Sequence, residues 1–188
     1  MSAAMPLRRP TQPRVEPLEW AAEKIRERSR NSPANAINVG ATVAHSKVLG
    51  KIMGCAGVVM AGSNTEPRLR EVVILRMGWN CQSIYELGQH QMFGRSVGLT
   101  DAEIYFITRP IALGSWGPKE AALLQMVDDL YADDCVSDAT WADLTAQFEP
   151  SLIMEYIGAA MSYRMVSAIL NTCGVQLDEG VPSWPTAP

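Results

Sequence analysis

Two consecutive helical segments between residues 66 and 100 restrict the fold of this chain most strongly. After Pro67, which suits the first turn of a helix, apolar side chains recur every three or four residues: Leu69, Val72, Val73 and Trp79. That spacing is typical of an α-helix. Residues 80–82 predict a short break, and Ser83 opens a second helix that reaches Val97 and stops at Gly98. The segment therefore predicts two helices that meet across one contact.

The rest of the chain follows the same pattern, and no stretch alternates apolar and polar residues as a strand would. Further helices are expected at 18–30, 34–44, 46–61, Thr100 to about Thr108, Pro118 to Tyr131, 140–148 and 150 to about 172, with a break at Asn31–Pro33 and a loop at 110–118. The predicted fold is all-α, with about eight helices in one domain over residues 18–175. Residues 1–17 and 176–188 are rich in proline and are predicted to be extended arms.

Composition excludes several classes of function. The net charge of −4 and the pI of about 5.2 argue against a nucleic-acid partner, which requires a basic surface. No apolar run reaches the length of a membrane helix, and the first residues lack the apolar stretch of a secretory signal. Four widely spaced cysteines without a CxxC are expected to be reduced thiols of a cytoplasmic protein.

Candidate acid–base groups concentrate on the second helix. Glu86 and His90 are four residues apart, so their side chains lie one turn apart on one face, with Phe93 on the same side. A carboxylate beside an imidazole in a partly dry pocket is a common way to tune proton transfer, although such a pair also occurs as an ordinary surface ion pair. Metal binding by this pair, with His45 as the other histidine, lacks a third ligand at a telling spacing, and no metal is expected.

Three motifs in this region resemble a known family. They are Arg70-Glu71-Val72-Val73-Ile74-Leu75-Arg76, Tyr85-Glu86-Leu87-Gly88-Gln89-His90, and Val97-Gly98-Leu99-Thr100-Asp101-Ala102-Glu103-Ile104. Together they resemble the signature region of the carboxymuconolactone decarboxylase family, within the AhpD-like superfamily. The resemblance covers about residues 30–175.

This resemblance implies an AhpD-like helical bundle that assembles as a homotrimer or hexamer, with the site near a subunit contact. In the thiol-peroxidase branch a CxxC precedes the histidine, and its two positions here are Ser83 and Glu86. Thiol peroxidase activity is therefore not expected, because a redox-cycling dithiol requires two sulfurs within bonding reach. The branch's proton-relay glutamate falls on Glu71 and its histidine on His90.

The implied function is that of a cofactor-independent lyase or isomerase, which transfers protons on a small cyclic carboxylate or lactone through His90, Glu71 and Glu86. Tyr85 is a candidate donor to a developing oxyanion, and equally a packing residue. Phe93 and Leu87, where the family usually has tryptophan, are expected to shape the substrate pocket. Candidates for binding a substrate carboxylate are Arg76, Arg95 and Arg164.

Two other functions fit the same residues. One is a lactone hydrolase in which His90 activates water. The other is a non-enzymatic oligomeric protein whose pocket binds a small apolar ligand. In each case the expected partners are a small molecule and further copies of the chain, with neither nucleic acid nor membrane.

Overall fold

The computed structural model describes residues 9–28 and 36–188, which form nine α-helices, one short 3₁₀ helix and no strand. In chain order the helices are α1 (Glu19–Arg28), α2 (Ile37–Val43), α3 (Lys47–Gly62), α4 (Pro67–Asn80), α5 (Ile84–Ser96), α6 (Asp101–Ile107), the 3₁₀ turn Ile111–Leu113, α7 (Pro118–Asp133), α8 (Asp138–Thr145) and α9 (Pro150–Cys173). The predicted all-α class is confirmed. Residues 1–8 of the predicted N-terminal arm lie outside the described residues, as do the break at Asn31–Pro33 and the adjoining ends of the first two predicted helices.

Helix α4 is the centre of the bundle. Every residue from Leu69 to Gly78 is buried, and α4 packs against α5, α7 and α9. A helix that is buried all round belongs to a protein core, so its polar residues must find partners inside the protein. Two apolar clusters meet on α4: one joins it to α7 and α9, and the other joins it to α5, α6 and α7.

The turn between α4 and α5 reverses the chain. Gln82 has a positive φ of 51°, and its neighbours are held from outside the turn. The carbonyl oxygen of Cys81 accepts hydrogen bonds from Asn171 Nδ2 at 2.9 Å and from an Arg9 guanidinium nitrogen at 2.7 Å. Reversal lays α5 against α4, which brings side chains 19 residues apart in sequence into contact.

Two local signals of the sequence, at Gly98 and at Thr100, mark helix ends in the structure. Thr100 and Glu103 form a capping box at the start of α6. Gly98 follows α5 with a φ of 94°, a conformation that glycine adopts without steric cost.

The C-terminal segment after α9 crosses the outer side of α5. A Cβ atom at Gly88 would lie 2.5 Å from the Pro182 carbonyl oxygen and 2.7 Å from Val181, so the close approach depends on glycine. Gln91 Nε2 donates to the Ser183 carbonyl oxygen at 2.6 Å, and Asp178 is buried against the same helix. This segment, residues 174–188, is the C-terminal strap.

None of the described helices combines the length and the apolar character needed to cross a membrane.

Candidate active site

His90 lies between two buried carboxylates. Its Nδ1 is 2.6 Å from Glu71 Oε2, and its Nε2 is 3.0 Å from Glu86 Oε1. Glu71 comes from α4, whereas Glu86 and His90 lie one turn apart on α5. The exposed fractions are 1% for Glu71, 4% for Glu86 and 5% for His90. These three residues form the Glu71–His90–Glu86 triad.

The two carboxylates determine the charge of the imidazole. Burial on its own would lower the pKa of His90, because it penalises the charged form. The charges of Glu71 and Glu86 and their hydrogen bonds outweigh burial and raise that pKa to about 10. His90 is therefore an imidazolium at neutral pH.

A cavity of about 340 Å³ opens beside the triad. Glu86, Gln89, His90 and Phe93 of α5 form one side, and the remaining lining residues are Ala36, Val39, Met53, Ala56, Gly57, Met60, Tyr85, Tyr163, Val166 and Leu170. The volume suits a small organic molecule. The lining is apolar apart from the groups on α5 and Tyr163, so the triad faces a space that favours uncharged ligands.

Tyr85 lines this cavity, but its hydroxyl group is engaged elsewhere. It donates to Asp178 Oδ2 at 2.6 Å and accepts from the backbone nitrogen of Val39 at 3.3 Å. Gln89 Nε2 also donates to Asp178 Oδ2, at 2.9 Å. Because the carboxylate accepts from the amide nitrogen, the Gln89 oxygen faces away from it. Tyr85 therefore joins α5 to the strap and to α2.

The predicted arginines are all paired with carboxylates outside the cavity. Arg76 is 6% exposed, makes two hydrogen bonds to Asp128 at 2.7 and 2.6 Å and donates to two backbone carbonyl oxygens. Arg95 pairs with Asp101, and Arg164 with Asp134. None of the three lines the cavity described above.

Phe93 and Leu87 differ in position. The Phe93 ring centroid is 5.4 Å from that of His90, and its side chain lines the cavity. Leu87 is fully buried in the cluster with Val72 and Ile104, so it supports α5 from behind and does not line the cavity.

Tyr163 on α9 is the site residue that sequence reasoning missed. Its ring meets the His90 ring edge to face, with centroids 4.8 Å apart, and it lines the cavity. It lies 73 positions after His90, in a helix whose apolar spacing indicates packing. The only signal in the sequence is that a residue with a polar hydroxyl group interrupts the apolar residues of α9, and Tyr156 gives the same signal.

Other chemically reactive side chains lie apart from the triad. All four cysteines are free, and the Cys81 sulfur contacts the Met77 sulfur at 3.8 Å. His45 contacts the Glu16 carbonyl oxygen at 2.9 Å. In the part of the chain that the structure describes, no group of three His, Cys, Asp or Glu side chains is arranged to hold a metal ion.

The helical fold matches AhpD-like folds, and the sequence has no CxxC. Residues 47–129 match the model of the Carboxymuconolactone decarboxylase family. This match confirms the predicted resemblance to the family.

Solved structures share the fold over nearly the whole chain. An uncharacterised peroxidase-related protein of Ralstonia eutropha JMP134, described as an alkylhydroperoxidase AhpD core, has a TM-score of 0.72 at 15% identity and covers 94% of this chain and 95% of its own. An uncharacterised peroxidase-related protein of Silicibacter sp. TM1040 has a TM-score of 0.73 at 12% identity, with 96% and 97% covered. The debrominase Bmp8, solved as a cysteine-to-alanine variant in complex with 2,3,4-tribromopyrrole, has a TM-score of 0.70 at 9% identity, with 90% and 94% covered.

No curated protein sequence matches the chain at a significant level.

Proposed function

We propose that this protein is a cofactor-independent acid–base enzyme of the lyase or isomerase type, which moves a proton on a small cyclic substrate. The observation that carries the proposal is the buried triad, in which Glu71 and Glu86 clamp both nitrogens of His90 beside a cavity of about 340 Å³. Perturbed titratable groups that face a cavity are typical of catalytic sites.

Each member of the triad has a distinct role in this proposal. Glu86 lines the cavity and acts as the base that removes a proton from a carbon beside a carbonyl group. The electron pair of that C–H bond forms a carbon–carbon double bond and the π pair of the carbonyl group moves onto its oxygen, where the His90 imidazolium stabilises the resulting negative charge. Return of the proton to another carbon completes an isomerisation. Glu71 is the most deeply buried member and orients the ring through Nδ1.

A decarboxylation would use the same groups in a different order. Loss of CO2 breaks a carbon–carbon bond and leaves its electron pair on the substrate as a dienolate. The protonated His90–Glu86 pair then supplies a proton to carbon. An imidazolium with a pKa of about 10 is strong enough for this step, because a carbon acid of this kind is weaker still.

Deuterium uptake tests the proposal. We expect wild-type protein in D2O to replace the α-hydrogens of an unsaturated lactone such as α-angelica lactone by deuterium. The loss of the α-hydrogen signals in NMR spectra measures this exchange. His90→Gln and Glu86→Gln should each slow the enzymatic exchange by about 100-fold or more. Glu86→Gln keeps the His90–Glu71 pair intact, so it covers the case in which His90→Gln folds poorly. Glu23→Gln, on the exposed side of α1, is the matched control. Full activity in both site variants would contradict the proposal.

The apolar cavity lining supports one alternative, a binding protein that holds a small apolar ligand without changing it. In that case the ligand would bind equally well to Glu71→Gln and His90→Gln, and mass spectrometry would find no product. A lactone hydrolase would instead release the ring-opened acid, which the same NMR spectra distinguish from an isomer.

We further propose that the protein assembles as a homotrimer or hexamer in the cytoplasm. Helix α3 has no buried residue and exposes Val48, Ile52 and Val58 by 45–68%, and an exposed apolar helix face is typical of subunit contacts. The proposed location in the cytoplasm is supported by the four free thiols, because a reducing compartment keeps cysteines unpaired. Light scattering of wild type and of Val58→Glu tests the assembly, because a charge on this face should dissociate it.

A further inference from the structure

Tyr163 is placed to contact a molecule in the cavity. Its side chain lines the cavity, and its ring edge lies against His90 with 4.8 Å between centroids. Both carboxylates of the triad act electrostatically on its phenol group. A ligand beside His90 therefore lies next to Tyr163 as well.

The hydroxyl group of Tyr163 is free to bind that ligand. It forms no hydrogen bond with any residue that the structure describes, whereas the Tyr85 hydroxyl is held by Asp178 and Val39. Tyr156, two turns earlier on α9, is fully buried in the core near Phe148 and does not line the cavity. Of these three tyrosines, Tyr163 alone combines a cavity position with an unengaged hydroxyl group.

Tyr163 acts as a donor across the physiological range. Burial raises the pKa of its phenol far above the usual value, and the negative charges of Glu86 and Glu71 raise it further, while Arg70 opposes them. The hydroxyl group therefore keeps its proton and can donate it to an acceptor.

The charges around the cavity disfavour an anionic ligand. Among the residues that the structure describes, no lysine or arginine lines the cavity, and Arg76, Arg95 and Arg164 are paired with carboxylates elsewhere. Arg70 acts on Tyr163 from a distance but does not line the cavity, and it hydrogen-bonds Thr65. Both ring nitrogens of His90 are engaged by Glu71 and Glu86, so a substrate carboxylate would lie beside Glu86 without a free cationic donor, which is costly in an apolar cavity.

We infer that Tyr163 donates the hydrogen bond that holds the carbonyl oxygen of a neutral cyclic substrate, such as a lactone, beside His90. This inference rests on the proposed function and narrows its substrate class from carboxylates or lactones to uncharged carbonyl compounds. When Glu86 removes the adjacent proton, the electron pair of the C–H bond forms a carbon–carbon double bond and the π pair of the carbonyl group moves onto the oxygen that Tyr163 binds. The hydrogen bond strengthens as that negative charge develops.

Binding and exchange measured together test the inference. The probes are α-angelica lactone, which is neutral, and levulinate, an acyclic keto acid anion of similar size. We expect wild-type protein to bind the lactone at least about tenfold more tightly than levulinate. Tyr163→Phe keeps the ring against His90 and should slow α-hydrogen exchange about tenfold, with lactone binding weakened about fivefold. Tyr156→Phe is the matched control and should leave both unchanged.

The outcomes separate the inference from the proposed function. If wild type binds the lactone through Tyr163 but exchanges no hydrogen, the inference holds and the proposed function fails. Three results overturn the inference: Tyr163→Phe behaves as wild type, levulinate binds as tightly as the lactone, or wild type does not bind the lactone.

Discussion

His90 has a carboxylate at each ring nitrogen, and this arrangement decides its protonation. A single carboxylate would compete with burial, which favours the neutral ring, whereas two carboxylates stabilise the charged ring. The imidazolium in turn lets two carboxylates lie close together in a nearly dry site, where they would otherwise repel each other.

Replacing Glu71 by Gln should lower the pKa of His90 clearly below its wild-type value of about 10. Glutamine keeps the shape and a hydrogen-bond acceptor for Nδ1 but removes one of the two negative charges. The measurement is a pH titration of the His90 ring by NMR, with Glu23→Gln as control. An unchanged His90 pKa in Glu71→Gln would show that Glu71 does not set the ring's charge.

The raised pKa also predicts how stability depends on pH. A group whose folded-state pKa is raised stabilises the fold fully below its unfolded pKa, here 6.5, and that stabilisation disappears as the pH rises through the folded pKa, here about 10. The difference in the free energy of unfolding between wild type and His90→Gln should therefore decrease from pH 6.5 to 10. Urea denaturation of both proteins at several pH values measures this difference in the free energy of unfolding. A difference that increases with pH would contradict the prediction.

Contacts between site residues could be predicted where both partners lie close in sequence or within the resembled motifs. The Glu86–His90 spacing on one helix predicted their contact, and Glu71 came with the family resemblance. Arg76 was expected from the sequence to bind substrate, yet its carboxylate partner lies 52 positions away. The pairing depends on how α4 and α7 pack, and no local pattern reports that.

At the scale of helices, one side of α5 faces the cavity and another side contacts the C-terminal strap. One side carries Glu86, His90 and Phe93 toward the cavity, and the other receives the strap at Gly88 and Gln91. Helical periodicity predicted that Glu86, His90 and Phe93 share one side of α5. It did not predict what covers the second side, because the proline-rich segment after residue 175 lacks a repeating pattern.

Gly88→Ala should destabilise the protein by about 1–3 kcal/mol, because the new methyl group would overlap the strap backbone at Pro182. Gly158→Ala on α9 is the matched control: a Cβ there meets nothing within 4 Å, so alanine should be neutral or stabilise the helix by up to about 1 kcal/mol. Chemical denaturation measures both, and limited proteolysis reports whether the strap is released. Equal stability of the two variants would show that the strap tolerates displacement.

At the scale of the whole molecule, Asp178 links parts of the chain that are distant in sequence. Its carboxylate accepts hydrogen bonds from the backbone nitrogens of Ile37 and Asn38 at the start of α2, and from Tyr85 and Gln89 on α5. Because α2 and α3 form the far wall of the cavity, this one carboxylate fixes that wall relative to the triad. No sequence pattern pointed to this role, since a lone aspartate in an extended arm looks like an exposed residue.

Asp178→Asn should lower the free energy of unfolding by about 2–3 kcal/mol. Asparagine offers one acceptor oxygen in place of two, and its amide group would face donors that then stay unpaired. The neighbouring Glu179→Gln is the control; Glu179 is exposed, so its change should stay within about 0.5 kcal/mol. Urea denaturation measures both, and similar values for the two variants would mean that the strap does not hold α2 in place.

The position of Asp178 also has a consequence for protein synthesis. The triad residues and every cavity-lining residue are translated before residue 178, but the carboxylate that fastens the α2–α3 wall to α5 follows all of them. While the strap is still inside the exit tunnel of the ribosome, that wall is not yet fastened to α5. The cavity therefore takes its final form only after the strap has emerged.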